Sequence, residues 1–337
     1  MNVNDTYEPN KPLRLLGLRA TENNLRVKLS KWDGQTIWTQ ETSGDLDITI
    51  PGNVLDGQIY DVDIEQETSE MDLMDSEEGW EPFWEYVIAA VYDPNKPYTF
   101  AIILPKAVKN FQNSANSRKE AVSGIAYGCM TMGIPYIILY GDNCTWENFA
   151  KVISKPTIFY AYVVSRSDMY TKNPLMHTEV RRTHFRLSNN NYVLAHFESG
   201  EQWPSNYHSM RDFGFGDGEK FKIVWMDFCF SGNGNFNGVG NDMSRAWMDL
   251  SEEPILDKLY VGWNNQIFTS NKAVYAAWSA FFWGDPDGFG WYGTHSYQYA
   301  FNRAMIEVEN GTYVGNNASM GKIGDERMRF TPYRYDH

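Results

Sequence analysis

From about residue 81 onward, short apolar runs of strand character alternate with stretches of helical character. This alternation constrains the fold more than any other feature of the chain. YTFAIIL is followed by SRKEAVSGIAYGCMTMG, IPYIILY by TWENFAKVI, and PTIFYAYVV, FKIVWMDF and KLYVGW by later helical segments, KAVYAAWSAFFW and SYQYAFNRAMIEV. Runs such as IPYIILY and PTIFYAYVV are almost continuously apolar, as strands covered on both faces are. Strand–helix–strand repetition predicts a parallel sheet with right-handed crossovers, hence an α/β fold with a mostly parallel sheet flanked by helices. Ser117 and Thr145 read as helix N-caps, Ser117 with Glu120 three residues on, and Gly133 as a helix stop. THFRLSNNNYVLAHF reads as a polar hairpin with three Asn at its tip.

The N-terminal part has a different period. Leu25, Val27 and Leu29 alternate with Arg26, Lys28 and Ser30, and Tyr60, Val62 and Ile64 alternate with Asp61, Asp63 and Glu65. Period two with one polar face predicts half-buried antiparallel strands, about five of them, separated by Gly and Asn/Asp turns. The predicted organisation is a polar tail at 1–12, a small β-sandwich-like module at 13–66, an acidic linker at 67–80 and the α/β domain at 81–330. EYVIAAVY, just after the linker, is ambiguous between strand and helix.

Composition narrows the partners. The net charge of -14 repels nucleic-acid phosphate and anionic membrane, and suits a protein or peptide partner with basic residues. No apolar run approaches the roughly 20 residues of a membrane span, and the N-terminus carries no apolar signal-peptide core. Three cysteines make no disulfide framework, and no Cys/His cluster has zinc spacing. Four N-x-S/T sequons, at Asn4, Asn143, Asn310 and Asn317, would matter only in a secreted chain. Aromatic residues make up 15% of the chain, enough to supply an interaction surface or a homo-oligomer interface as well as a core.

The segment richest in chemistry is Asp227-Phe228-Cys229-Phe230-Ser231-Gly232. A strand ends, a Cys follows at its carboxyl edge, and a Gly/Asn-rich loop comes next. Sites in open α/β sheets form at that edge. Ser231 and Gly232 begin a turn whose backbone N–H groups can approach a substrate carbonyl. Cys229 is therefore a candidate thiol nucleophile. The plainer reading is a small buried hydrophobe.

This D-x-C-x-S-G string after an apolar strand resembles the nucleophile strand of the caspase-like cysteine peptidases. GIPYIILYGDNCTWENFAKVI is similar to that family's second strand and following helix, PTIFYAYVV to its third strand, and KLYVGWNNQIF to the strand after the nucleophile. The resemblance runs over roughly 95–310. It implies Cys229 as nucleophile and Asp227 as an acid shaping a specificity pocket for basic peptide residues. ITIPGNVLDGQIYDVDIE resembles the closing strands of a fibronectin type III domain.

One departure bears on activity. The family's third strand ends in a His-Gly pair that supplies the base and an oxyanion donor. Here the chain reads Val164-Ser165-Arg166-Ser167-Asp168, so Arg166 or Ser167 stands where the His is expected. Without a base the rate falls about 10²–10⁴-fold. Of the six histidines, His177 is the replacement the sequence favours, because it follows the third strand in a loop long enough to fold back. His184 reads as solvent-facing, His196 as structural and His208 as part of a polar loop. Cys129 reads as core and Cys144 as half-exposed. Two acidic Gly loops, with Asp212, Asp217 and Glu219, and with Asp285 and Asp287, could hold calcium, but neither has full EF-hand spacing and turn chemistry is the plainer reading, so no cofactor is expected. Three functions follow as expectations: a catalytically degenerate caspase-like protein that binds or self-assembles, an active cysteine endopeptidase using Cys229 and His177, and a structural, filament-forming extracellular protein.

Overall fold

The computed structural model describes residues 6–18, 24–31, 35–43, 46–56, 60–67, 79–90, 95–105, 122, 124–126, 128–130, 132–165, 171–180, 183–197, 199–213, 220–232, 242–248, 258–263, 278, 298–299, 302 and 320–324. The chain is an α/β protein with a small N-terminal all-β module. It divides into two units, Met1–Asp93 and Pro94–His337.

The described residues of the first unit hold seven strands: β1 (Thr6–Tyr7), β2 (Leu13–Leu18), β3 (Leu25–Lys31), β4 (Thr36–Thr42), β5 (Leu46–Ile50), β6 (Tyr60–Glu67) and β7 (Trp80–Ala90). They form one sheet in the order β1-β7-β6-β3-β4 and a second from β2 and β5. The period-two apolar residues point into one core, where Leu25, Val27, Leu29, Val62 and Ile64 meet Leu13, Leu15, Ile48 and Ile50. On the polar face Glu65 receives Arg26 at 2.6 Å and Lys28 at 2.7 Å, which lowers its carboxyl pKa against the opposing effect of burial. At the entry to β6 the Tyr60 hydroxyl donates to Asp56 Oδ1 at 2.6 Å and accepts from Asp56 N–H at 3.4 Å, the tie of a tyrosine corner.

Three expectations change here. Within the expected tail at 1–12, residues 6 and 7 belong to the fold: β1 pairs with β7 in parallel, and Tyr7 is buried against the Tyr60 ring. Asn10 N–H bonds to Leu55 O, and Gly52 leaves room for the Asn10 carbonyl, which a Cβ would meet at 2.6 Å. The segment at 80–90 is a strand of this first unit, pairing β6 from Tyr60↔Ile88 to Glu67↔Trp80, so the boundary falls at Asp93/Pro94 and not at 80/81. With β1 and β7 included, the strands number seven where the alternation predicted five. Most of the acidic segment 67–80 lies outside the described residues.

The second unit is built on a six-stranded sheet, ordered β18-β17-β16-β10-β8-β9. Its strands are β8 (Phe100–Pro105), β9 (Tyr136–Gly141), β10 (Tyr160–Val164), β16 (Ile223–Asp227), β17 (Leu259–Trp263) and β18 (Met320–Gly324). The first five run parallel and β18 is antiparallel to β17. Strands β8, β10, β16 and β17 are buried along their whole lengths, as their apolar runs predict. The indole of Trp278 contacts Phe100, Tyr162 and Trp225, one residue from each of three adjacent strands.

Between β10 and β16 lie a hairpin of β11 (Thr171–Asn173) and β12 (Thr178–Val180), then a three-stranded sheet of β13 (His184–Arg186), β14 (Tyr192–Leu194) and β15 (Tyr207–Ser209). Helix α1 (Trp146–Ile153) is capped by Thr145, whose hydroxyl accepts from Asn148 N–H at 3.2 Å. It buries Phe149, Val152 and Ile153, and Phe149 meets Phe185 of β13 and Trp247 of α2 (Asp242–Trp247) edge-on. Gly133, at φ +67°, ends the helical stretch before β9, while Ser117 and Glu120 lie outside the described residues. No helix among the described residues is long and apolar enough to cross a membrane.

Candidate functional site

Strand β16 delivers the chain to the carboxyl edge of the sheet, between β10 and β17. Cys229 sits two residues beyond its end, half-exposed, and Phe230 follows in the left-handed region at φ 58°. A bulky side chain there is strained by about 1–3 kcal/mol. The turn is held from below. Ser231 N–H bonds to Phe228 O at 3.2 Å, and the Ser231 hydroxyl donates to Met226 O at 2.7 Å while accepting from Trp263 N–H at 3.0 Å. Gly232 N–H donates to Trp263 O at 2.8 Å. The Ser231 and Gly232 N–H groups, at the start of the turn expected to present such donors, are therefore spent inside the protein, the first on Phe228 within the turn and the second on β17. The Tyr260 hydroxyl adds a bond to Ser231 O at 2.7 Å, and burial pushes its pKa well up. The fastening is close enough that Gly262 admits no side chain: a Cβ would stand 2.5 Å from Ser231 C.

Asp227 is buried and turned toward the neighbouring strands. Its carboxylate has no exposure, and it accepts from the Tyr162 hydroxyl at 2.8 Å and from Trp263 Nε1 at 2.9 Å. These donors come from β10 and β17, on either side of β16, so Asp227 ties three strands together two residues before the thiol.

On the β10 side, Ser165 N–H reaches Asp227 O at 3.5 Å, and the Ser165 hydroxyl bridges the Arg186 backbone, donating to O at 2.7 Å and accepting from N–H at 2.9 Å. Arg166 and Ser167 lie outside the described residues. His177 occupies the exposed tip of the β11–β12 turn at φ 54°, and no hydrogen bond joins it to Cys229. A different histidine follows a residue that is bonded to the thiol turn. Thr183 Oγ1 donates to Phe230 O at 3.1 Å, and His184 is the next residue, buried at 4% exposure rather than solvent-facing. His208 belongs to β15, its ring flat on Trp146 at 3.9 Å and 4° and bonded to Asn191 Oδ1 at 2.8 Å.

The other thiols differ from Cys229. Cys129 is fully buried, as its apolar helix pattern predicts. Cys144 is buried too, where a half-exposed position was expected, because its Sγ–H turns inward to Leu139 O at 2.7 Å. Burial pushes both pKa values up. Among the described residues no three His, Cys, Asp or Glu side chains converge to hold a metal ion, and Asp217, Glu219, Asp285 and Asp287 fall outside them.

Sequence reasoning passed over Tyr162, Thr183, Tyr260 and Trp263. The signal for Tyr162 and Trp263 was present: each is a polar-tipped ring near the carboxyl end of a strand beside β16, within reach of the acid that ends it. Against known proteins, the chain matches no family model and no curated sequence.

Proposed function

We propose that this chain is a caspase-like protein that keeps the nucleophile position as Cys229, has lost the catalytic pairing, and acts by binding a protein or peptide. The observation that carries the reading is the state of the two groups a peptidase needs beside its thiol. The Ser231 and Gly232 N–H groups donate within the protein. At the end of β10, Ser165 is locked onto the Arg186 backbone, and His177, the expected replacement base, stands at an exposed hairpin tip without a bond to the thiol. The order of the apolar strands supports the family assignment: the runs that resemble its second, third, nucleophile and following strands lie in one sheet with the thiol at the carboxyl edge.

A second reading has its own observation. The Thr183–Phe230 bond brings the start of β13 against the residue after Cys229, so a working peptidase would run through His184 rather than His177. Alkylation by iodoacetamide across pH 5–9, with hydrolysis of peptides carrying Arg or Lys, separates the two. The binding reading expects alkylation of Cys229 to fade as the pH falls to 5–6, and no hydrolysis. Alkylation persisting at pH 5–6 and abolished in His184→Ala, with hydrolysis lost in Cys229→Ala, overturns it in favour of the peptidase.

A further inference from the structure

The sheet β13-β14-β15 carries a row of stacked groups that the thiol turn does not use. Register sets Arg186 beside Tyr192, and Tyr192 beside Tyr207. The Tyr192 and Tyr207 rings stack at 4.7 Å and 13°, Trp203 stands 5.0 Å from Tyr207, and Phe197 stacks on Trp203 at 5.7 Å and 17°. The Arg186 guanidinium closes one end, 5.3 Å from the Tyr192 ring centroid. All five side chains are half-buried, so the row runs along the surface. At its far end Phe197 makes no second ring contact among the described residues.

A ring face at the end of a stack attracts a cation, and a planar guanidinium fits it better than an ammonium. The far end also carries a negative charge, since Glu201 Oε2 accepts from Trp203 Nε1 at 3.2 Å. The net charge of -14 draws cationic segments toward the protein. We infer that the Phe197 end of this stack receives an arginine side chain of a basic peptide segment, seated as Arg186 is on Tyr192 and paired with Glu201. The inference rests on the binding reading above and names the partner's chemistry. A saccharide would need ring faces open along the row, and here the rings cover one another.

The test uses the full chain and a short fluorescent Gly-Arg-Gly-Arg-Gly peptide, with Lys and Gln counterparts, read by anisotropy and Trp fluorescence at two salt concentrations. The Arg peptide should bind, more weakly at high salt. The Lys peptide should bind less well and the Gln peptide not measurably. Phe197→Leu and Glu201→Gln should each weaken the Arg peptide by about fivefold, with unchanged circular dichroism, and Cys229→Ala should bind as the parent does. The inference is overturned by equal binding of the Arg and Gln peptides, by no binding of the Arg peptide, by parental affinity in both variants, or by an oligosaccharide binding the row while the Arg peptide does not. Thiol-dependent hydrolysis alongside retained binding in Cys229→Ala would remove the binding-only reading and leave this one standing. Absent binding with a silent thiol removes only this one.

Discussion

A carboxylate without exposure persists in an interior only when its oxygens are hydrogen-bonded. Asp227 meets that condition through Tyr162 and Trp263. Asp227→Ala leaves both as buried donors and should cost about 2–4 kcal/mol, read as a lower urea midpoint at constant slope. Asp227→Asn replaces one acceptor oxygen with a donor and should cost somewhat less. Gly262→Ala forces a methyl against the Ser231–Gly232 backbone. It should cost about 1–3 kcal/mol and, by loosening the turn, raise the alkylation rate of Cys229; an unchanged rate would mean that the fastening to β17 does not govern thiol access. At this scale Cys229 was legible because it follows an apolar strand, and the roles of its neighbours were not. Whether Asp227 faces a ligand or a Trp depends on which strands lie beside β16, and that is a property of the sheet, not of the local string. His184 escapes a local reading for the same reason: alternation with Arg182 and Arg186 places it on a polar face, but Leu194 stands opposite it in the sheet and the Tyr192 ring meets it edge-on at 5.6 Å.

Helix α1 and the strand β15 meet at the stack of Trp146 and His208. Burial holds the His208 imidazole below its ordinary range, although the Glu147 and Asp212 carboxylates pull the other way. A histidine whose folded pKa is depressed favours the folded state in its neutral form. Its contribution is complete above the unfolded value of about 6.5. It falls as the pH drops through that value toward the folded pKa, because the unfolded chain then binds more protons. His208→Phe keeps a ring on Trp146 and should flatten the decline in stability between pH 7.5 and 5.5, measured by urea unfolding at each pH. A slope equal to the parent's would show that other groups set it. Thr145→Ala removes the cap of the same helix and should cost about 1 kcal/mol. Helix α1 was readable from Thr145 and its apolar period, and the β13–β14 hairpin from its Asn tip, where Asn189 and Asn190 take positive φ. Strand β15 was not, because a three-residue strand with half-buried Tyr207 and His208 shows no period of its own.

For the whole molecule, the position of the boundary is the point on which local signals mislead. Strand β7 lies beyond an acidic segment, and that segment sets it apart with the α/β domain, yet its partner β6 lies on the other side. The pairing covers the length of β6, and Ile88 enters the first unit's core. A fragment ending at 93 should therefore give a cooperative thermal melt by circular dichroism, and one ending at 79 should not. A melt in the shorter fragment would place β7 outside the folding unit. The alternation of strands and helices in the second unit was legible because period and apolar length are local. The pairing of segments distant in sequence, β1 with β7 above all, was not.

That last pairing has a mechanical consequence. Strands β1 and β7 run in the same direction, one entering the first unit and the other leaving it, and they share the register Thr6↔Ala89 and Tyr7↔Ala90. Tension between the start of the chain and the second unit pulls them past each other lengthwise, loading their bonds together instead of peeling them singly. The clamp is only two residues long, so it should slip first at modest force. Its release would lengthen the chain by the stretch leading into β2, while the six antiparallel strands behind it hold.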